Sequence, residues 1–174
     1  MKIFIFSLVL MFSLCACASK PSPLPTAKSV DIERYVGKWY AISSLPQTFT
    51  RKCLAQTAEY GILNVQTISV LNTCILENKK KTISGEAVVV NSDTNAELEV
   101  TFDNFFTRLF RVKGDYTIIK LDEDYRYVLV GSKDRESLWI LARKTSMPQE
   151  AYNNYVEFAK TNNFPVDKLR KSEF

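Results

Sequence analysis

Between residues 37 and 143 the apolar positions recur in short runs, several of which alternate with polar positions. The alternation is clearest at Leu98, Val100 and Phe102, with charged or polar residues between them. Because successive side chains of a β-strand point to opposite faces, this pattern predicts half-buried strands. Eight strands are predicted, at 37–44, 54–60, 65–75, 82–90, 96–102, 115–121, 127–132 and 138–143.

The predicted strands are joined by short polar connections. None of these connections is long enough to be the helical crossover that parallel strands need, so the sheet should be antiparallel and up-and-down. The segment 61–64 is interpreted as a hairpin turn, and the lysine run 79–81 as part of a solvated turn. An eight-stranded sheet of this kind removes its exposed edges by closing. The predicted fold is an all-β, eight-stranded antiparallel barrel.

One helix should follow the last strand. Ser146 is placed as its N-cap, Pro148 in its first turn and Gln149 at the capping-box position. Apolar residues then recur at helical spacing and form a single stripe, which we expect to pack on the outer wall of the barrel. The stripe consists of Tyr152, Tyr155, Val156 and Ala159.

The N-terminus has the pattern of an export signal. Lys2 precedes an apolar run of 12 residues, 3–14, which is too short to span a bilayer as a helix. The run ends in Leu14-Cys15-Ala16-Cys17, which resembles the lipobox of bacterial lipoproteins. The resemblance implies cleavage after residue 16 and acylation of Cys17; an ordinary signal peptide with an incidental cysteine is the alternative. Three prolines in 18–26 favour an extended tether, placed at 17–30, before a domain at 31–174.

Composition narrows the function classes. The chain has 174 residues, 46% of them hydrophobic, which suits one globular domain with a core of its own. It contains no histidine, which excludes a Ser-His-Asp triad and His-ligated zinc or haem. The net charge is only +4, and no cluster of basic residues alternates with aromatic ones, so a nucleic-acid-binding surface is not expected. No cofactor is expected either.

Two cysteines remain in the predicted domain. Cys53 and Cys74 lie at equal distances from the predicted turn at 61–64, so they should face each other on paired strands. In an oxidising compartment they would form a disulfide worth roughly 3 kcal/mol in the loop-entropy account. Two free thiols are the alternative.

Three motifs in order resemble those of the lipocalins. Gly37-Lys38-Trp39-Tyr40 is similar to the family's G-x-W motif, residues 121–125 to a variant of its second motif, and residues 138–143 to its third. The resemblance covers almost the whole predicted mature chain and implies a lipocalin barrel. It further implies that Arg143 packs over Trp39 at the closed end. The residues assigned a structural role are Gly37, Trp39, Asp122 and Arg143.

Every second residue of a strand points into the barrel, and Trp39 and the family motifs indicate which of the two sets points inward. The interior is expected to be mostly apolar, which favours a long apolar chain as ligand, although the same residues could simply fill the core. Four apolar residues between strands five and six, Phe105, Phe106, Leu109 and Phe110, are expected to form a lid or rim or to touch a membrane. Ser43 and Gly85 are also expected to point inward. The predicted ligand-lining residues are Ala41, Ala58, Tyr60, Ala87, Val89, Leu98, Val100, Phe102, Tyr116, Ile118, Tyr127, Leu129, Trp139 and Leu141.

Together these features indicate a bacterial lipoprotein lipocalin without enzymatic activity. The expected ligand is a fatty acid or lysophospholipid, and the expected location is the periplasmic face of the outer membrane, where an N-terminal lipid anchor would hold the protein. A homodimer is left open. Two alternatives remain: a lipid-modifying enzyme that uses Cys53 or Cys74 as a free thiol, and an envelope interaction protein with a filled barrel.

Overall fold

The computed structural model describes residues 22–103 and 113–174, and in them the eight predicted strands form one antiparallel sheet. Each strand pairs with the next, and the first also pairs with the eighth, so the sheet closes. The predicted barrel is thereby confirmed. The strands are β1 (Gly37–Ser44), β2 (Ala55–Asn64), β3 (Thr67–Leu76), β4 (Lys79–Val89), β5 (Glu97–Phe102), β6 (Gly114–Leu121), β7 (Tyr127–Gly131) and β8 (Leu138–Ala142).

Besides the 3-10 turn Val166–Lys168, two short elements of the described residues were not predicted. Helix α1 (Ile32–Tyr35) precedes β1, and the Asp31 carboxylate caps it by accepting hydrogen bonds from the backbone N–H groups of Glu33 and Arg34. Near the C-terminus, β9 (Arg170–Lys171) pairs with the last two residues of β1. Both elements are too short for apolar periodicity to reveal them.

Helix α2 (Gln149–Thr161) packs on the outside of the barrel, as predicted. Its buried residues Tyr155 and Ala159 contact a cluster that includes Leu129 and Ile140 from the barrel wall. The prediction of Ser146 as N-cap was wrong. Pro148 occupies the N-cap position in an extended conformation, no side chain caps the helix, and Gln149 is its first residue.

Two turn predictions also need correction. Residues 61–64 belong to β2, and the β2–β3 turn lies at 65–66, where the Asn64 side chain accepts a hydrogen bond from the Gln66 N–H. The lysine run 79–81 belongs to β4 rather than to a turn. Both errors arose because the glycine and asparagine near the end of β2, and the lysines at the start of β4, are residue types that also occur in turns.

The up-and-down topology sorts the connections between two ends of the barrel. Residues 65–66, 90–96 and 122–126 lie with α1 at the base, near Trp39, whereas 45–54, 77–78 and 132–137 surround the mouth. The predicted apolar lid at Phe105, Phe106, Leu109 and Phe110 lies outside the described residues, as does Cys17.

Residues 22–30, predicted as part of the tether, lie against the barrel. The Arg135 guanidinium donates a hydrogen bond to the Ser22 carbonyl at the mouth, and the backbone N–H of Ala27 donates to the Ile118 carbonyl. The Val30 N–H then reaches the Thr94 carbonyl at the base. The segment therefore runs from mouth to base. Along the described part of the chain, no helix has the length and hydropathy needed to cross a bilayer.

Candidate functional site

Arg143 and Trp39 close the base of the barrel. The guanidinium carbon of Arg143 lies 3.8 Å from the centroid of the Trp39 ring, which is fully buried. A planar guanidinium can stack on an indole ring and at the same time donate hydrogen bonds from the N–H groups in its own plane. Burial lowers the pKa of Arg143. Its nitrogens donate to the backbone carbonyls of Arg34 (2.7 Å), Tyr35 (3.0 Å), Lys38 (3.1 Å) and Tyr125 (3.2 Å).

The two other predicted motif residues lie close to this pair in the fold. Gly37 has a φ of +93°, and a Cβ there would lie 3.4 Å from Nη1 of Arg143, so a side chain would be strained. Asp122 begins the β6–β7 turn and accepts from Nε (2.9 Å) and Nη2 (3.1 Å) of Arg126. These hydrogen bonds lower the pKa of Asp122. All four residues organise backbone at the base, which leaves ligand contacts to the interior above them.

Three tyrosines meet inside the barrel above the base. The Tyr116 hydroxyl lies 2.5 Å from that of Tyr35 and 3.0 Å from that of Tyr60. Burial raises the pKa of all three phenols, that of Tyr60 to about 12. They are therefore neutral hydroxyls at ordinary pH, able to donate hydrogen bonds but carrying no charge. Tyr35 was not predicted as a site residue, because the Asp31 cap was the only signal of the helix that carries it.

Apolar side chains from every strand form one cluster inside the barrel. All but two of the predicted lining residues belong to this cluster or pack against it. The structure also places there several residues of β3 and β7 that the sequence analysis did not assign to the interior. Residues of β7 are buried on both faces, so alternation gives this strand no phase, whereas β3 does alternate and its phase could have been predicted. The additional interior residues are Ile68 and Val70 of β3 and Val128 and Val130 of β7.

Tyr127 and Leu129 are the two exceptions, and their assignment to the interior was wrong. Both pack in the outer cluster beneath α2, and the ring centroids of Tyr127 and Tyr155 are 6.4 Å apart. Because β7 is apolar on both faces, the sequence pattern did not show which residues point inward, and the predicted phase was wrong by one residue.

A β-bulge near the mouth changes which residues of β1 point into the barrel. Ala41 pairs with Leu141, but the register then shifts so that Ser43 pairs with Ile140, whose side chain packs outside. Ser43, predicted inward, thus shares the outer face, and Ser44 turns into the barrel. Such a bulge leaves no recognisable mark in the sequence.

The mouth is more polar than the rest of the interior. The Gln56 side-chain amide donates to the Ser44 hydroxyl at 3.0 Å, and the Trp139 indole N–H lies 3.4 Å from the Gln56 amide oxygen. Gln56 is in phase with Ala58 and Tyr60 on β2, so strict alternation would have found it. The barrel therefore offers hydrogen bonds at the mouth and near the base, with an apolar wall between.

The predicted disulfide lies at the mouth. Cys53 and Cys74 are joined, with their Cα atoms 5.3 Å apart. They are not direct partners across the strands, because Cys74 lies opposite Gln56 and Cys53 precedes β2. The pairing prediction was confirmed although the turn used to derive it was misplaced by a few residues.

The described residues contain no group of three or more histidine, cysteine, aspartate or glutamate side chains placed to hold a metal ion. What they do provide is a closed base, an apolar wall and hydrogen-bonding groups at both ends of that wall. This arrangement is suited to enclosing an elongated, largely apolar molecule.

Comparison with known proteins agrees with the geometry in fold. Among solved structures, insecticyanin from the tobacco hornworm Manduca sexta superposes with a TM-score of 0.67 at 16% identity, covering 88% of this chain and 85% of that one. At such low identity the similarity concerns the fold alone. It supports the eight-stranded barrel with an outer helix.

Sequence comparison identifies closer relatives. The chain is 35% identical over 152 residues to temperature-induced lipocalin-1 of Arabidopsis thaliana, covering 86% of this chain and 82% of that protein. It is 31% identical over 168 residues to the outer membrane lipoprotein Blc of Vibrio cholerae, covering 95% of each. The family described as "Lipocalin-like domain" matches residues 30–173. The chain therefore belongs to the lipocalin family.

Proposed function

We propose that this protein binds the acyl chain of a fatty acid or lysophospholipid inside the barrel and stores or carries it in the cell envelope. The observation that carries the proposal is the continuous apolar interior cluster, to which all eight strands contribute and which Trp39 and Arg143 close at one end. Burial of each methylene of an acyl chain contributes up to ~0.8 kcal/mol, less the cost of ordering the chain.

We further propose that acylated Cys17 anchors the mature protein to the periplasmic face of the outer membrane. The lipobox-like sequence Leu14-Cys15-Ala16-Cys17 supports this, and so does the similarity to relatives that are named outer membrane lipoproteins. The thiol-enzyme alternative has less support, because the Cys53–Cys74 disulfide leaves neither sulfur free to act as a nucleophile.

Fatty-acid titrations of increasing chain length test the proposal. Affinity should rise with chain length until the interior is filled and then level off. Ala87→Phe or Val100→Trp, which enlarges an interior residue, should shorten the preferred chain while the β-sheet circular dichroism is unchanged. Val88→Phe is the matched control, because Val88 is the next residue on β4 and points outward, 41% exposed.

A response that does not depend on chain length, or no binding of any lipid, would contradict the proposal and favour the interaction protein with a filled barrel. Equal effects of Ala87→Phe and Val88→Phe would also count against an interior site.

A further inference from the structure

Five basic side chains gather on one side of the barrel mouth. Arg51 and Lys52 lie in the β1–β2 connection, and Lys79, Lys80 and Lys81 begin β4; together they form what we call the basic rim. All five are exposed, and the described residues supply none of them with a salt bridge. An open groove of about 760 Å³ runs between four of them, Arg51, Lys52, Lys79 and Lys81, whereas Lys80 points to the other face of β4. Among the described residues that line the groove, Glu77 is the one acidic residue.

The disulfide holds the two halves of the basic rim together. Cys53 directly follows Lys52, and Cys74 lies directly opposite Lys81 on the neighbouring strand. Like charges repel when they are close, so a disulfide that holds four of them around one groove favours an anionic partner. The lysine run at 79–81, which was predicted to be part of a solvated turn, is therefore one half of a larger surface.

An exposed aromatic residue belongs to the same surface. Phe49 lines the groove beside Arg51 and Lys52, and 72% of it is exposed. Leu54, in the same groove, is 39% exposed. Cationic side chains around exposed apolar ones match the interface of an anionic bilayer, where the charges meet headgroups and the apolar groups enter the acyl boundary.

The start of the described chain also lies at the mouth. Arg135, in the β7–β8 connection, binds the Ser22 carbonyl there. Only four residues separate Ser22 from Cys17, so a fully extended chain spans at most ~18 Å between the two. An acyl anchor on Cys17 would thus hold the mouth, rather than the base, next to the membrane.

We propose that the basic rim docks on the surface of an anionic phospholipid bilayer, so that the barrel opens toward the membrane that supplies its ligand. The proposal rests on the proposed function for the anchor at Cys17 and for the lipid cargo. The rim itself, with Phe49 and the disulfide, is a feature of the described fold.

Vesicle binding of the full mature chain carrying Cys17→Ser, which removes the acyl anchor, tests the docking. The protein should bind phosphatidylcholine vesicles containing about 30% phosphatidylglycerol, and ~0.5 M salt should weaken the binding. The double variant Lys52→Gln/Lys79→Gln should lower the affinity about 30-fold. The control Lys28→Gln/Lys144→Gln makes the same charge change at exposed lysines away from the mouth and should have little effect.

Orientation is measured with a tryptophan probe. Phe49→Trp should give a blue shift of emission on the anionic vesicles, whereas Val65→Trp, at the 95% exposed tip of the opposite end, should give none. No binding to anionic vesicles, an equal loss in both lysine pairs, or a shift for Val65→Trp alone would overturn the proposal. So would a rim variant that disrupts a dimer in sedimentation without changing vesicle affinity, because the occupant would then be a second copy of the chain.

Palmitate titration of the same proteins without vesicles separates this proposal from the proposed function. Palmitate binding without vesicle binding would refute docking and leave lipid binding intact. Vesicle binding without palmitate binding would refute lipid binding inside the barrel and leave docking of the basic rim intact.

Discussion

At the scale of single residues, the base of the barrel depends on one guanidinium. Arg143 meets four backbone carbonyls and the face of Trp39, and these partners come from α1, β1 and the β6–β7 connection. A residue that joins separate segments in this way affects stability more than its exposed area suggests. Its role differs from that of the interior side chains, which we propose contact ligand.

Arg143→Lys should therefore destabilise the protein although it keeps the charge. An ammonium cannot stack on the indole and reach the same carbonyls, so we expect a loss of about 2–3 kcal/mol in the free energy of unfolding, measured with urea. Trp39→Ala should cost about 3–5 kcal/mol through the cavity it leaves. Lys144→Ala, an exposed neighbour, is the control. Normal stability with lost lipid binding would instead place Arg143 or Trp39 in the ligand site.

The buried tyrosines predict how stability depends on alkaline pH. Phenols in the unfolded chain ionise near pH 10, whereas burial keeps Tyr60 neutral until about pH 12 and raises the pKa of Tyr35 and Tyr116 as well. Above pH 10 the unfolded state thus binds fewer protons, and the free energy of unfolding falls as pH rises. Between pH 10 and 12 the fall should be shallower in Tyr60→Phe than in wild type. Identical slopes would show that the Tyr60 phenol ionises in the folded protein as it does in water.

At the scale of elements, the sequence predicted those features that depend on the alternation of residues along one strand and on short motifs. The eight strands of the barrel and their order, the outer helix and the cysteine pairing followed from local pattern. The phase of β7, the bulge in β1 and the cap of α2 did not, because each depends on which neighbour a strand or helix meets. Most interior positions could be predicted, but the hydrogen bonds among Tyr35, Tyr60 and Tyr116 required the fold.

Replacing both Cys53 and Cys74 by serine should weaken the mouth without abolishing the barrel. The disulfide closes a loop with a sequence separation of 21, and its loss should cost about 3 kcal/mol. A non-reducing digest should yield the cross-linked peptide, and urea denaturation should show the lower stability. Alkylation of both thiols without reductant would contradict the bond and return the thiol enzyme to consideration.

Close contact between β4 and β5 makes a further prediction. A Cβ at Gly85 would overlap the Thr101 carbonyl oxygen and lie 3.0 Å from the Phe102 Cα, whereas one at Gly114 would come no nearer than 3.9 Å to the Val100 carbonyl oxygen. Gly85→Ala should thus destabilise the protein by about 1–3 kcal/mol and Gly114→Ala by little, as measured by thermal unfolding. Equal effects would indicate that the two strands can separate freely.

At the scale of the whole molecule, the proposed anchor and basic rim share one end of the barrel with the mouth. Anchoring by Cys17 predicts that Cys17→Ser prevents acylation and leaves the chain unprocessed or released from the membrane fraction. Cys15→Ser, two residues earlier, should be processed and acylated normally. Detergent fractionation and mass spectrometry of the N-terminal peptide are the measurements. A Cys17→Ser protein that still requires detergent for extraction would contradict the anchor.

The pairing of β1 with β8 has a consequence for the order in which the chain folds. The partners Tyr40 and Ala142 are about a hundred residues apart, so the sheet cannot close until almost the whole polypeptide has emerged. Until then β1 and the last strand formed are open edges that can pair with other chains. The cysteines are close in sequence and can be oxidised much earlier. Chains shortened before residue 138 should therefore acquire the disulfide yet aggregate.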